Sequence, residues 1–346
     1  MWLDRFALRV ACFSLPLTTA AAPARADLYA LVGGLQGPGL ARYDNSGRFA
    51  GRTGAGGESA DGLVVTPDGW VYVAGNVLGS GTLGRTRVGT PVNWQIISPG
   101  GTPYNVPGGL GAGPDGSVYA TSTRFDANGV SGVFRYNPAN GTFLSVVTLT
   151  DTPVPPFQHF NFDVALAPGG DLYLARYGIG VERYNATTGQ LVGLVIPAAA
   201  LPPGFIDLAF GPDGNLYIPG MQGIDRFDAQ SGALIDHFIP NGSGGLSGGS
   251  NLSFGNDGLL YVNSRGTSSV LRYDATTGAF HDVFIPTAQY QLAGLGGLGQ
   301  IAYAVPEPAM ASVLLIAAAA LTRRRPVRRL TGGSARPHAG TTTAVR

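Results

Sequence analysis

The chain has 346 residues, of which 54 are glycine, 25 are proline and 12% are charged, a composition typical of many short strands joined by tight turns. All 22 basic residues are arginine, and residues 27–305 hold 12 of them against 19 acidic residues, which gives this body a net charge of −7 (12 − 19). A net acidic body without a basic stripe argues against a nucleic-acid-binding role.

Residues 1–26 predict a signal peptide that is recognised by the Sec machinery and then removed. Arg5 and Arg9 precede an apolar run, and the Ala-Arg-Ala sequence at 24–26 is a cleavage site of the A-x-A type. The single cysteine, Cys12, lies inside this segment, so the mature chain is expected to contain no cysteine. The alternative is that the segment is a buried helix of the fold.

An internal repeat fills residues 27–304. Five segments align with one another: LVVTPDGWVYVAG, LGAGPDGSVYATS, VALAPGGDLYLAR, LAFGPDGNLYIPG and LSFGNDGLLYVNS. Each predicts two strands joined by a tight turn, because apolar residues alternate on both sides of a Pro-Asp-Gly-type sequence. Units such as FRYNPANGTF and LRYDATTGAF follow and add two more strands. Four antiparallel strands per repeat are the content of one β-propeller blade.

The spacing of the tyrosines assigned to the second strand gives the number of blades. They recur at intervals of 42 to 54 residues, which is the length of a blade repeat: Tyr29, Tyr72, Tyr119, Tyr173, Tyr217, Tyr261 and Tyr303. The two ends carry partial blades that complete one another, and a shared blade leaves no open sheet edge. The sequence therefore predicts six blades. Seven blades stay possible, because Tyr29 and Tyr303 compete for the same strand position.

These repeats resemble those of the NHL, gluconolactonase-like and streptogramin-lyase-like propellers, in which turns of the PDGNLY type recur. The resemblance extends over about residues 27–304 and implies an all-β fold. It does not imply one activity, because propellers include enzymes, binding proteins and scaffolds.

We expect functional side chains at the start of the first strand of each repeat, since this strand lines the channel of a propeller. The residues there are Gly62, Gly109, Asp163, Asp207, Asn251 and, in the last repeat, the region of Ala293. Three neighbouring blades thus supply oxygen ligands suited to a hard cation such as Ca²⁺ or Mg²⁺. Gluconolactonase-like enzymes hold a divalent metal at a similar place. The alternative is that these side chains only cap the starts of strands.

His159 lies in an insertion just before Asp163 and is a candidate general base above the channel, although a lone histidine in a loop is also typical of a surface residue. The turn aspartates Asp68, Asp115 and Asp213 are expected to bond their own turns, because aspartate in a Pro-Asp-Gly turn accepts local backbone hydrogen bonds.

The C-terminal segment 305–325 has three parts in a fixed order. Val305-Pro306-Glu307-Pro308 is followed by an apolar stretch at 309–321 and by three basic residues, Arg323, Arg324 and Arg325. A helix over 309–321 would be about 20 Å long, which is less than the ~30 Å thickness of the hydrocarbon core of a bilayer. The segment therefore predicts a transmembrane helix suited to transient insertion rather than to a permanent anchor. The arginines favour a cytoplasmic end.

This tripartite segment resembles the PEP-CTERM sorting signal. The resemblance implies that exosortase, a membrane protease-transpeptidase, recognises the segment and removes it. An ordinary tail anchor is the alternative. Residues 326–346, rich in arginine, glycine and threonine, predict a disordered basic tail.

Taken together, the two ends and the repeat favour an exported, non-catalytic propeller at the cell surface or outside the cell, associated with exopolysaccharide or a surface protein of the extracellular matrix. A second hypothesis is a metal-dependent hydrolase or lyase with its site at the channel. A third is a propeller that stays anchored through its tail.

Overall fold

The computed structural model describes residues 27–33, 39–54, 60–75, 82–87, 95–97, 107–122, 132–149, 161–205, 207–292 and 297–304. Within these residues, 24 strands form six antiparallel sheets of four strands each, which confirms the predicted six-bladed propeller. Five sheets use four strands that are consecutive in the chain, and the sixth joins strands from both ends of the described region.

The blades are numbered in chain order, and the strands of each are given from the channel outward. Blade 1 comprises β4 (Ala60–Val65), β5 (Trp70–Gly75), β6 (Thr82–Arg87) and β7 (Gln95–Ile97). Blade 2 comprises β8 (Pro107–Ala112), β9 (Val118–Ser122), β10 (Gly132–Tyr136) and β11 (Phe143–Leu149). Blade 3 comprises β12 (Asn161–Leu166), β13 (Leu172–Arg176), β14 (Gly180–Tyr184) and β15 (Leu191–Pro197).

The remaining three blades repeat the pattern. Blade 4 comprises β16 (Ala209–Phe210), β17 (Leu216–Gly220), β18 (Gly223–Phe227) and β19 (Leu234–Pro240). Blade 5 comprises β20 (Gly249–Phe254), β21 (Leu259–Ser264), β22 (Ser269–Asp274) and β23 (Phe280–Ile285). Blade 6 comprises β24 (Gly297–Ala304), β1 (Asp27–Gly33), β2 (Gly39–Tyr43) and β3 (Phe49–Gly54).

Blade 6 closes the ring. Its inner strand β24 pairs antiparallel with β1, so that Leu28 lies opposite Tyr303 and Asp27 lies opposite Ala304. Tyr303 is therefore on a first strand. Its predicted assignment to a second strand is wrong, and so is the seven-bladed alternative that depended on it. The stretch around Tyr303 has the same alternation of apolar residues as a second strand, so its pattern alone did not distinguish the two positions.

The inner strands follow one another around the channel. In the order β4, β8, β12, β16, β20 and β24, each contacts the next directly or through the adjacent second strand, and β24 contacts β4 again. The core lies between blades, because the second strands bury both of their faces. In β13, Tyr173 and Ala175 pack towards blade 4, whereas Leu172 and Leu174 pack in the cluster that contains Tyr119 of blade 2.

A tyrosine and an arginine form a repeated cross-strand pair in each regular blade. The guanidinium carbon lies 5.7 to 6.0 Å from the centroid of the tyrosine ring opposite it in Arg135–Tyr119, Arg183–Tyr173, Arg226–Tyr217 and Arg272–Tyr261. This geometry is that of a cation–π interaction. The repeated arginines therefore have a structural role in the blade.

The turns between third and fourth strands pack on the preceding blade. In blade 4 the turn ends at Gly232, whose φ of +70° suits glycine. A Cβ atom at this position would lie 1.9 Å from the carbonyl oxygen of Val195 on β15, so only glycine permits the approach of the two blades.

One α-helix, α1 (Thr287–Leu292), occurs in the described residues, and no helix there has the length and apolar character needed to span a membrane. The predicted signal peptide, the sorting segment 305–325 with its helix at 309–321, and the tail 326–346 lie outside the described residues.

Candidate functional site

The register of the inner strands defines one equivalent position per blade at the start of strand one. Pairing with the second strand gives Gly62, Asp163 and Asn251 this position. Gly109, Asp207 and Gln300 are equivalent to them, because each directly precedes the corresponding buried apolar residue of its blade. Sequence reasoning had placed the last of them near Ala293, which lies outside the described residues. The signal that could have located Gln300 is the apolar pattern of the following Ile-Ala-Tyr-Ala, which matches the first strand of blade 5 in register.

The four polar side chains at this position each accept a hydrogen bond from the backbone of the next blade. The N–H groups of Leu208, Leu252, Ile301 and Leu63 donate to Asp163 Oδ2 at 3.3 Å, Asp207 Oδ2 at 2.9 Å, Asn251 Oδ1 at 2.6 Å and Gln300 Oε1 at 2.6 Å, respectively. We call this set the inter-blade belt.

The physical cause of the belt is the open edge of the inner strands. An inner strand has a sheet neighbour on one side only, and a buried backbone N–H without an acceptor is unfavourable. A side-chain oxygen from the preceding blade supplies that acceptor. The belt therefore joins blade 3 to 4, 4 to 5, 5 to 6 and 6 to 1, where each bond links residues that are at least 45 positions apart in the chain.

Asp207 and Asn251 are also bonded to one another. The amide nitrogen Nδ2 of Asn251 donates to Asp207 Oδ2 at 2.7 Å, so this carboxylate oxygen accepts two hydrogen bonds. Both residues are buried, with 5% of their surface exposed. The amide and the carboxylate thus satisfy each other inside the ring.

Asp163 is the exception in the belt. It is 3% exposed, and its Oδ1 atom is buried without a hydrogen-bond donor among the described residues. Burial, the negative charge of Asp207 and a hydrogen bond between the two carboxyl groups hold the pKa of Asp163 well above its usual range. Burial also raises the pKa of Asp207, although Asp163, two backbone amides and Asn251 oppose that shift. Both carboxyl groups therefore favour the protonated state more than exposed aspartates do.

The belt borders a cavity of about 310 Å³ on the axis of the ring. Residues of all six inner strands line it, and Asp163, Asp207, Asn251 and Gln300 supply its side-chain amide and carboxyl groups. Most of the remaining lining is apolar and includes Phe210 and Phe254. The accessible lining is nonetheless more polar than apolar, so the cavity differs from the mostly apolar clefts that usually bind small molecules.

The structure brings the three predicted metal ligands, Asp163, Asp207 and Asn251, together on neighbouring blades, but their oxygens fit a hard cation poorly. Ca²⁺ takes about six to eight oxygen ligands. Here Asn251 Oδ1 and Asp207 Oδ2 already accept hydrogen bonds, and no group of three or more His, Cys, Asp or Glu side chains suited to a metal occurs among the described residues. Calcium or magnesium binding stays a prediction, as does a role for His159, which lies outside the described residues.

The turn aspartates act locally, as expected. Asp115 Oδ1 and Asp213 Oδ1 accept the backbone N–H two residues later at 3.0 and 3.1 Å, and the Asp115 carboxylate also pairs with Arg135 at 2.6 Å. These contacts are those of a turn and its neighbouring strand.

Sequence reasoning missed a buried ion pair within blade 3, between β13 and β14. Arg176 Nη1 lies 2.8 Å from Glu182 Oε2, and the hydroxyl of Tyr184 donates to the same oxygen at 2.7 Å. Arg176 ends one of the repeated segments, but the other segments carry glycine or serine at that position, so no repeated pattern identified the pair.

Comparisons with known proteins identify the fold. No family model and no curated protein matches the chain. Among solved structures, a protein of unknown function from Bacteroides caccae is 16% identical with a TM-score of 0.58, covering 82% of this chain and 100% of its own. A chain of a nidogen/laminin complex is 17% identical with a TM-score of 0.57, covering 82% and 99%.

Virginiamycin B lyase from Staphylococcus aureus is 16% identical with a TM-score of 0.49, covering 76% of this chain and 86% of its own. At 16–17% identity, similarity to the Bacteroides caccae protein and to the nidogen/laminin chain shows a shared β-propeller fold and no particular activity.

Proposed function

We propose that this chain is an exported, non-catalytic β-propeller that works as a binding scaffold at the cell surface or in the extracellular matrix. It is exported by the Sec machinery, inserted transiently through residues 309–321 and sorted by exosortase. The ring then presents its loops to exopolysaccharide or to a surface protein.

The observation that carries this proposal is the set of hydrogen bonds that the polar side chains of the channel form between blades. Asp207 and Asn251 accept hydrogen bonds from the backbone of the next blade and bond to each other, and Asp163 accepts the backbone N–H of Leu208. Groups engaged in this way hold blades together and are poorly placed to coordinate a metal. Their contribution to the stability of the ring thus explains why polar side chains lie in the described part of the channel.

The route to the surface rests on the sequence of the two ends. A leader with an A-x-A site precedes the ring, and a Val-Pro-Glu-Pro motif, an apolar stretch and an arginine cluster follow it. Each feature supports export, and their order supports removal of the C-terminal segment after the ring has crossed the membrane.

The test of sorting is the intact mass of the protein released by a host that contains exosortase. We expect a C-terminus near residues 305–308, and we expect the double substitution Pro306→Ala and Glu307→Ala to leave the chain uncut and held in the membrane fraction. The matched control is Pro326→Ala, which lies after the arginine cluster and should be processed like the wild type. A released protein that keeps its tail would refute sorting by this signal.

The test of the binding role uses the released protein and the exopolysaccharide of the same host. Co-sedimentation should retain the protein, and a chelator should not change the bound fraction, because no metal takes part. Proximity labelling on the same host tests for a surface-protein partner. A protein that neither co-sediments with exopolysaccharide nor labels any surface protein would contradict a scaffold role.

One observation favours the second candidate, a metal-dependent hydrolase or lyase. Asp163 Oδ1 borders the cavity and lacks a donor, so it could bind a cation or a polar substrate group. Elemental analysis of the released protein decides between the two functions. Stoichiometric calcium or magnesium that is lost in Asp163→Ala would establish the metal site, whereas a metal content well below one per chain supports the scaffold.

A further inference from the structure

Arg176, the last residue of β13, has a guanidinium group of which only one side is bonded. Its Nη1 atom pairs with Glu182 Oε2 at 2.8 Å, whereas Nε and Nη2 are buried without an acceptor among the described residues. The side chain is 5% exposed, so bulk water reaches these two atoms poorly. A buried N–H without an acceptor is unfavourable, and two of them on one cation indicate an acceptor from outside the described ring.

The free side of Arg176 is the edge of a guanidinium that recognises planar anions. Nε and Nη2 present two parallel N–H groups, which match the two oxygens of a carboxylate. The chain uses this edge in the same way elsewhere: Arg226 Nε and Nη2 donate to Asp236 Oδ1 and Oδ2 at 3.1 and 2.5 Å. Arg272 and Asp282 repeat the arrangement at 2.8 and 2.5 Å. We call the Nε–Nη2 side of Arg176 the open edge.

The fold of the ring does not explain an arginine at this position. Blades 1, 2, 4 and 5 have a small uncharged residue at the equivalent end of the second strand: Gly75, Ser122, Gly220 and Ser264. A buried ion pair loses the hydration of both charges, and apolar residues in its place are often neutral or stabilising. The cation of blade 3 is therefore better explained by a ligand than by stability.

Two neighbours hold the guanidinium from the side opposite the open edge. Glu182 Oε2 accepts a hydrogen bond from Nη1 of Arg176 and another from the hydroxyl of Tyr184 at 2.7 Å. Burial, together with the Glu182 carboxylate, raises the pKa of Tyr184, so its hydroxyl remains a donor at neutral pH. Glu182 is thus fixed by two donors and in turn fixes Nη1, which leaves the open edge for another acceptor.

The open edge lies between blades 2 and 3, at the end of the ring where the inner strands begin. In the sheet, Arg176 is opposite Asn161, the first residue of β12, and opposite Gly180, the first residue of β14. Because side chains alternate along a strand, that of Arg176 lies on the same face of β13 as Leu172 and Leu174, which pack against blade 2. A ligand therefore reaches the open edge from the end of the blades and not through the axial cavity, which Arg176 does not line.

Charge favours a carboxylate over a phosphate at this place. Arg176 and Glu182 together carry no net charge, so a bound monoanion leaves one unbalanced negative charge and a phosphate dianion leaves two. Unbalanced charge is costly where it is shielded from water. The carboxylate also has the planar shape that the open edge matches.

We propose that the open edge of Arg176 binds the carboxylate group of a small acidic molecule between blades 2 and 3. Glu182 and Tyr184 position the cation, and Arg176 makes the contact with the ligand. The inference does not depend on the proposed function, because a surface scaffold and an enzyme can each recognise an acidic molecule at this place.

The first test follows the arginine Nε–H signals of the purified full chain by NMR during a titration with acetate at constant ionic strength. One signal should shift to saturation, because acetate accepts a hydrogen bond from Nε, and the neutral analogue acetamide should not shift it. The saturating signal should be the one that is lost in Arg176→Lys. The matched control is Arg226→Lys, whose fork already binds Asp236 and whose acetate response should equal that of the wild type.

The wild type alone can refute the proposal, whatever the stability of the variants. It fails if no Nε–H signal saturates with acetate, and also if the saturating signal persists in Arg176→Lys. Inorganic phosphate that saturates the same signal at a lower concentration than acetate would assign the open edge to a phosphate group and overturn the choice of a carboxylate.

Glu182→Gln tests whether the ligand lies beside the buried pair. Glutamine retains an oxygen acceptor for Nη1 and removes the negative charge, so the dissociation constant of acetate should fall about tenfold. The matched control is Asp225→Asn, which removes a buried carboxylate at the equivalent position of the third strand in blade 4 and should leave the dissociation constant unchanged. Equal effects of the two substitutions, or no effect of Glu182→Gln, would place acetate elsewhere and overturn the proposal.

Discussion

The inner and outer strands of the same blades use polar side chains in opposite ways. At the inner strands, Asp207 and Asn251 are buried and accept backbone hydrogen bonds from the next blade. At the outer strands, Asp236 and Asp282 are half exposed and pair with arginines of their own blade. The comparison teaches that polar groups join blades near the axis, whereas turns and apolar contacts join them at the rim. Substitutions at the two places should therefore differ in size and in their response to pH and salt.

We expect the largest effect from Asp207→Ala. It removes the acceptor of two hydrogen bonds and leaves the backbone N–H of Leu252 and the Nδ2 group of Asn251 without that acceptor inside the ring. The free energy of unfolding should fall by about 3 kcal/mol or more, measured by urea denaturation. The control is Asp228→Ala in an exposed turn, for which we expect a much smaller change. A loss below about 1 kcal/mol for Asp207→Ala would show that the belt contributes little.

Gly232→Ala tests the contact between blades at the rim. The substitution adds a methyl group 1.9 Å from the Val195 carbonyl and forces alanine to a φ of +70°, so we expect a loss of about 2–3 kcal/mol in the free energy of unfolding. Gly214→Ala is matched in φ at +79° but has no atom within 4 Å, and it should cost about 1 kcal/mol. Equal losses would mean that backbone conformation alone matters at Gly232.

The pH dependence of stability separates Asp163 from the rim carboxylates. Its pKa is raised in the folded protein, so its contribution is fully present below the unfolded pKa of about 4 and is lost as the pH rises through the folded pKa. Asp163→Asn mimics the neutral acid, and its stability relative to the wild type should therefore increase as the pH rises above about 4. A difference in unfolding free energy that stays constant between acid and neutral pH would contradict the raised pKa of Asp163.

The smallest effect is expected at the rim ion pairs. The pKa of Asp282 is lowered, with the Arg272 hydrogen bond as the main cause, so the pair stabilises the fold above the usual aspartate pKa and is lost as the pH falls through the folded value. Because the carboxylate is 40% exposed, Asp282→Asn should cost only about 0.5 kcal/mol, and the cost should shrink in high salt. A loss that does not change with salt would argue for a packing role instead.

Local sequence patterns predicted most of the fold because each blade is built from neighbouring residues. The Pro-Asp-Gly turns and the alternation around Tyr173 or Tyr217 specify hairpins directly. The error at Tyr303 arose where a first strand pairs with a second strand from the opposite end of the chain. A hairpin pattern carries no information on such a distant partner.

The sequence predicted where the candidate site lies but not what its side chains bind. The spacing from the turns located Asp163, Asp207 and Asn251, yet their hydrogen-bond partners lie on other blades, at least 44 positions away. Whether a carboxylate binds a cation or a backbone amide depends on the distance between blades, which no residue pattern specifies. Gln300 was missed for the same reason, since the belt rather than a motif defines its role.

The pairing of β24 with β1 has a consequence for how the chain folds. The two strands lie more than 260 positions apart, so their association requires closure of nearly the whole body. Blades 1 to 5 can form from local hairpins before the chain is complete, but blade 6 must wait for residues 297–304. Closure is thus a late and slow step of high contact order. Until it occurs, the open edges of β1 and of blade 5 are accessible to chaperones and to other chains.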